Sequence, residues 1–241
     1  MNLSERSLNS YDALKLSAML WMSIDHVGYY LITDEEIWRL IGRLAMPIFC
    51  FLVGYNRHYR FSSHVFWVAV AISCVDIARG HYYQQNILWT ILVIRALLAH
   101  MPERFWNSYI PGVILGCYLW FIPTIVFVDY GTLALLWALL GYHVSRTPDR
   151  MGIITAYAAS ALLLTVFMTW DAFTHHTLYG ICAIIALCVL TAKLMLFRIT
   201  PWHTRPNCQW AALWLSNNAL TYYGVHVALL MGIGSWLGIS P

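Results

Sequence analysis

Nine apolar stretches follow one another along this chain with only short polar links between them, at roughly 13–32, 37–56, 64–80, 86–100, 109–128, 131–146, 151–170, 177–197 and 211–238. A helix needs roughly 20 apolar residues to cross about 30 Å of hydrocarbon, and inside a bilayer a segment must satisfy its own backbone hydrogen bonds. The succession therefore predicts an all-α, polytopic transmembrane helix bundle of about nine spans. It forms a single integral-membrane domain over residues 1–241. The runs at 86–100 and 131–146 are short, so eight or ten spans are alternatives. Charged residues make up 10% of the chain, against about 25% in soluble domains. No link is long enough to build a second core.

Several classes fall away on composition. The six cysteines (50, 74, 117, 182, 188 and 208) show no CxxC spacing and five lie in apolar runs, so neither structural disulfides nor a metal site is expected. Cys50 and Cys74 read as small packing residues. The polar N-terminus, MNLSERSLNSYDALK, carries acids and does not read as a cleaved signal peptide. The formal net charge is +3, with the basic residues scattered rather than gathered in a stripe, so no nucleic-acid partner is expected. The 12 Trp and 15 Tyr fit interfacial belts.

The links alternate in charge. Arg57 and Arg60, then Arg104, then Arg146 and Arg150, then Lys193, Arg198 and Arg205 mark one side. DEE at 34–36, VDYG at 128–131 and WDAFTHH at 170–176 mark the other, with Arg79 its clear cation. The positive-inside rule then places the N-terminus in the cytoplasm and, with nine spans, the C-terminus outside. No internal repeat supports an inverted-repeat transporter.

Ionisable residues stranded in the apolar runs locate a candidate site, because each costs roughly 2.5 to 3.5 kcal/mol at bilayer depth. Asp25 and His26 lie in the outer half of the first run, and Arg39 and Arg43, four apart on one helical face, open the second. Asp76 and Arg79 close the third run, Asn86 opens the fourth, which also holds Arg95, and Asp129-Tyr130 closes the fifth. His226 sits in the middle to outer half of the last. All but Arg95 converge on the outer leaflet under the charge-derived topology. Adjacent residues on a helix project about 100° apart, so Asp25 and His26 each need a partner on another span, with Arg43 the expected partner of Asp25. Such a cluster suits general acid/base work and oxyanion stabilisation.

Plainer roles stand beside these. Asp25 with Arg43 also reads as a structural ion pair, Asp76 with Arg79 as a snorkelling interfacial pair, and Arg95 as a structural partner of Asp76. His226 also reads as a hydrogen-bonded core histidine, and His175 and His176 as exposed loop residues. Asn217-Asn218 either bend the start of the last span or bind a polar substrate.

LKLSAMLWMSIDHVGYYL, an acidic link and RLIGRLAMPIFCFLVGYN resemble the opening of the TraX family. The matching positions are Lys15, Asp25-His26, Gly42-Arg43, Ala45, Pro47 and Phe49, with a likeness also at Asn86, Tyr130-Gly131, Tyr223 and His226. The resemblance implies an inner-membrane enzyme that modifies the amino terminus of a membrane-embedded pilin subunit during conjugation, by acetyl transfer from acetyl-CoA. In that role Asp25, His26, Arg43 and His226 are the candidate catalytic residues, with His26 or His226 the general base. Lys15, Asp76, Asn86, Arg95, Tyr130, Asn217 and Tyr223 are candidate substrate-binding residues.

Acetyl-CoA is cytoplasmic and anionic, and no Gly-rich phosphate cradle is present. An acetylase with an outer-leaflet site requires a path for the acetyl donor, with Arg57, Arg60, Arg146, Arg150, Lys193, Arg198 and Arg205 at its basic mouth. A head-to-tail pilin cyclase uses the same residues without a cofactor. A non-catalytic pilin-binding chaperone is a third possibility, with the intramembrane charges structural or pilin-binding.

Overall fold

The computed structural model describes residues 7–32, 36–56, 61–78, 86–170, 177–202 and 206–238. Arg57, Arg60, Arg79, His175, His176, Arg205 and the Arg39 side chain, singled out from the sequence, lie outside the described residues. The described residues form helices α1 Ser10–Leu31, α2 Glu36–Gly42, α3 Ala45–Tyr55, α4 Ser63–Ala78, α5 Ile87–His100, α6 Glu103–Ser108 and α7 Ile110–Leu119. The series continues with α8 Phe121–Ile125, α9 Gly131–Arg146, α10 Met151–Met168, α11 Thr177–Met195, α12 Pro206–Asn217 and α13 Ala219–Trp236. The architecture is all-α, as expected, with an isolated antiparallel bridge joining Asn9 to Pro201.

Three of the expected runs are broken, and local chemistry explains where. A proline removes one helical hydrogen bond and its ring clashes with the carbonyl four residues back. Pro47 acts in this way on Arg43, and α2 stops at Gly42 while α3 restarts at Ala45. Pro123 does the same to Leu119, the last residue of α7. The final run breaks at Asn218, one of the two roles the sequence offered for Asn217-Asn218, and the Asn218 side-chain amide donates to the Trp214 carbonyl at 2.8 Å.

Helices α10 and α11 are each long and apolar enough to cross a membrane. Their exposed Leu163, Phe167, Leu178, Ile181, Ile185 and Val189 suit hydrocarbon rather than water. Helices α4, α5 and α7 are shorter and apolar.

The chain divides into two compact units. The first comprises residues 1–49, 172–183 and 197–241. Here α1 packs on α2, α12 and α13. Asn9 caps α1 by accepting from the Asp12 amide at 3.1 Å, and Trp202 N–H donates to the Leu8 carbonyl at 2.8 Å. Two glycines set how closely α1 and α2 approach. A Cβ on Gly28 would stand 2.3 Å from Trp38 Cβ, and one on Gly42 would stand 2.2 Å from Asp25 Cβ.

The second unit comprises residues 50–171 and 184–196 and is built around α9. Residues Leu136 to Val144 are all buried, so α9 is surrounded on every side. The end of α3 crosses α9 with backbones touching. A Cβ on Gly54 would lie 1.7 Å from the Ala138 carbonyl oxygen, and one on Gly141 would lie 2.0 Å from that of Phe51. Small residues at such crossings are how membrane helices gain packing without a hydrophobic driving force.

Candidate active site

The site forms where one face of α1 meets α13. Ser23, His26 and Tyr30 recur at helical spacing along α1, and Tyr222, His226, Val227 and Met231 do so along α13. Tyr30, Val227 and Met231 close one end of this contact as an apolar cluster, with Tyr29, Leu31, Tyr223 and Leu230 against it. Ser23 pairs with Tyr222 and His26 with His226, so residue numbers rise together and the two helices run parallel.

His26 Nδ1 lies 2.7 Å from His226 Nε2, and the rings stack with centroids 4.9 Å apart at 17°. His226 Nδ1 lies 2.9 Å from the Tyr222 carbonyl, which can only accept. With both imidazoles neutral, the tautomers follow from this network. His226 donates from Nδ1 to the carbonyl, its bare Nε2 accepts from His26 Nδ1–H, and His26 Nε2 keeps its lone pair. A second chain fixes Tyr222. Ser23 Oγ donates to the Met19 carbonyl at 2.8 Å, so the Tyr222 hydroxyl donates to Ser23 Oγ at 2.6 Å. The Tyr222 ring stacks on His226 at 4.9 Å and 17°, and Tyr30 and Tyr223 flank His26 at 6.1 and 5.8 Å. A bare imidazole nitrogen, oriented from behind and walled by aromatic rings, is the geometry of a general base.

Asp25 faces away from this contact, toward α2, as the angular argument required. Its side chain lies over Gly42, where a Cβ would be 2.5 Å from Oδ1. Arg43 follows Gly42 in the turn between α2 and α3 and is half-buried. Because α2 ends at Gly42, the residue directly beneath the carboxylate is the glycine, and Arg43 stands one position beyond it. Asp25 and Arg43 thus share the α2 side of α1, and His26, His226 and Tyr223 share the α13 side.

Lys15 belongs to a separate polar layer. The separation from Lys15 to His26 corresponds to about 16 Å along α1. Its ammonium donates to the Ser216 carbonyl, and the Ser216 hydroxyl donates to Asp12 Oδ1 at 2.8 Å. Asp12 and Ser216 are each 1% exposed. Asn217, next in sequence, ends α12 and is exposed.

The remaining candidates lie in the second unit. Asn86 is the N-cap of α5: its oxygen accepts from the Leu88 amide at 3.1 Å, and its amide donates to the Ala69 carbonyl and Ser73 Oγ, each at 3.2 Å. Those bonds commit it to joining α4 and α5. Asp76 lies near the end of α4 and Arg95 within α5, both half-buried. Tyr130 caps α9 in the left-handed region, with φ 62°.

Ser23, Tyr222, Asp12 and Ser216 were not singled out from the sequence. The Tyr222–His226 spacing of four and the Ser23–His26 spacing of three are the signals that could have found the first two.

The TraX protein family model matches residues 10–234. An uncharacterized protein of Rickettsia prowazekii is 26% identical over 97% of this chain and 95% of its own length. Protein TraX of Escherichia coli strain K12 is 25% identical, with 91% of this chain and 85% of its own length covered. A probable fimbrial assembly protein FimC of Dichelobacter nodosus is 24% identical, covering 90% of this chain and 92% of that protein. No solved structure matches.

Proposed function

The chain belongs to the TraX family, and on that premise we propose that it is a multi-pass inner-membrane enzyme of pilin maturation that acetylates the N-terminal amine of a membrane-embedded pilin subunit. The proposal rests chiefly on the tautomer chain that leaves His26 Nε2 as a bare base. His26 Nε2 takes the proton from the attacking amine while His226 holds the ring and shares the charge that develops. The amine nitrogen bonds to the acetyl carbonyl carbon, the carbon–sulfur bond to coenzyme A breaks, and the proton passes from His26 to the departing sulfur. Arg43, at the turn beside Gly42, is the cation assigned to the developing oxyanion.

Acetyl-CoA would supply the activated acetyl group. The multi-pass topology is supported by the alternating links and by the parallel run of α1 and α13. Two parallel spans, the first and the last, require an odd number of crossings, as nine spans would give. A pilus-assembly role is supported by the full-length likeness to a probable fimbrial assembly protein.

The expected orientation favours cyclisation as a second reaction. Under the charge-derived orientation His26 sits about 24 Å from the cytoplasmic start of α1, within reach of the outer face. Joining pilin's terminal amine to its own carboxyl carbon there needs the same base and releases water.

The intact mass of pilin, made with and without this protein, tests the proposal. A gained acetyl group is the expected result. Loss of one water identifies a cyclase instead, and an unchanged mass leaves a binding chaperone.

A further inference from the structure

Helix α13 is separated from α12 at Asn218 and packs chiefly on α1. Its far face is bare: Val225, Leu229 and Ile233 are exposed, and a Cβ on Gly232 would meet nothing within 4 Å. Apolar contact is non-directional. The cluster of Tyr30, Val227 and Met231 therefore holds the two helices together but resists sliding less sharply than a directed bond does.

Two polar bridges supply the direction. His26 to His226 is one, and Ser23 to Tyr222, a turn earlier on both helices, is the other. Ser23 Oγ donates to the Met19 carbonyl, which leaves its lone pairs to accept the Tyr222 hydroxyl at 2.6 Å. Sliding by one residue would move α13 about 1.5 Å along its axis. An O–H···O bond ends at about 3.0 Å, so this bridge is lost well before a full residue of slip.

Tyr222 is also the residue that orients His226. Its carbonyl accepts from His226 Nδ1 at 2.9 Å, and its ring lies nearly parallel to the imidazole, with centroids 4.9 Å apart at 17°. His26 meets the same imidazole at the same centroid distance and angle. The hydroxyl, ring and carbonyl of one residue thus connect Ser23 on α1 to the imidazole that receives His26 Nδ1–H.

We propose that Ser23 and Tyr222 are positioning residues of this site: their hydrogen bond fixes α13 against α1 and holds His226 Nε2 where it accepts from His26. The inference rests on the reading of His26 as the base. Neither Ser23 nor Tyr222 is assigned a proton or a bond in the reaction. A displacement of about 1 Å at a catalytic group costs about 100-fold in rate, so a bond between two uncharged hydroxyls matters more to turnover than to folding.

Two readouts on the full chain in detergent micelles test this. The first needs no pilin: nitrogen spectra of isotope-labelled histidines should show His26 and His226 of the wild type each as a single Nδ1–H tautomer. Tyr222→Phe and Ser23→Ala should mix the His26 tautomers, because its Nδ1–H loses a fixed acceptor. Ser23→Thr, which keeps the hydroxyl, should restore the single form. The second readout is the time course of pilin intact mass. Tyr222→Phe and Ser23→Ala should each lower kcat about tenfold or more with KM within about twofold, and the double variant should be no slower than either alone, because one bond is lost once. Their stabilities should differ. Tyr222→Phe leaves Ser23 bonded to Met19 and the melting temperature unchanged, whereas Ser23→Ala strands a half-buried phenol and lowers it. Tyr222→Phe spectra identical to wild type, rates per folded molecule at the wild-type level, or multiplied losses in the double variant overturn the proposal. If the wild type leaves the pilin mass unchanged, the acetylation reading fails while the tautomer spectra still decide this one.

Discussion

His26 Nδ1 and His226 Nε2 stand 2.7 Å apart, although 200 residues separate them in sequence. The two imidazoles are not equivalent. His226 is anchored to a carbonyl and can only pass orientation on to His26, whose Nε2 stays bare. His26→Ala is therefore expected to lower the rate of pilin modification by about 10²–10⁴-fold, the range for a lost general base. His226→Gln, which keeps an oxygen able to accept from His26 Nδ1–H, should retain more activity than His226→Leu. Time courses of pilin intact mass give this order directly, and equal rates for His226→Leu and wild type would remove His226 from the mechanism.

Gly42 carries the second expectation. Any side chain at this position collides with Asp25, whose Cβ would be 2.2 Å from the new Cβ, whereas Gly232 in α13 faces open space. Gly42→Ala should destabilise by about 1–3 kcal/mol, the cost of forcing atoms into a packed contact, and should displace the Asp25 carboxylate. Gly232→Ala should be neutral or slightly stabilising, as a helix-interior glycine costs roughly 0.5–1 kcal/mol relative to alanine. Thermal unfolding of the two variants in the same detergent makes the comparison.

Much of this arrangement is legible in the amino-acid sequence, for identifiable reasons. The divergence of Asp25 and His26 follows from helical geometry alone, and His26 meets its partner on another helix as that geometry demands. The all-α class follows from the apolar runs. What the sequence hides is local or long-range. Pro47 and Pro123 are visible, but an apolar average over about 20 residues masks a single missing amide, so two runs read as unbroken. The identity of the base depends on the register of α13 against α1, which is set downstream of the break at Asn218.

Ser216 links Lys15 and Asp12 in the layer about 16 Å from the histidines. Its hydroxyl donates to a carboxylate that is 1% exposed, and weakening the satisfaction of a buried charge costs about 1–3 kcal/mol or more. Ser216→Ala should lower the melting temperature, and Ser216→Thr, which keeps the hydroxyl, should recover part of the loss. Catalysis per folded molecule should be unchanged if this layer is structural. A lower rate per folded molecule would instead give this layer a part in substrate binding, the role that the family resemblance implied for Lys15.

Tyr130 offers the sharpest separation of binding from folding. It holds φ 62° immediately before Gly131 at φ 44°, and together they turn the chain into α9. A left-handed backbone costs a non-glycine residue about 1–2 kcal/mol, so a tyrosine here is retained against a local penalty. The turn is tied down nearby: the Thr132 amide donates to Thr124 Oγ1 at 3.0 Å, and the Thr90 hydroxyl donates to the Asp129 carbonyl at 2.7 Å. Tyr130→Gly should relieve the penalty without changing the path of the chain and raise the melting temperature. Tyr130→Ala, which keeps the penalty and loses the ring, should not. If the ring binds substrate, both variants lose pilin modification to the same extent despite their opposite stabilities. Activity that instead follows stability would confine Tyr130 to the turn.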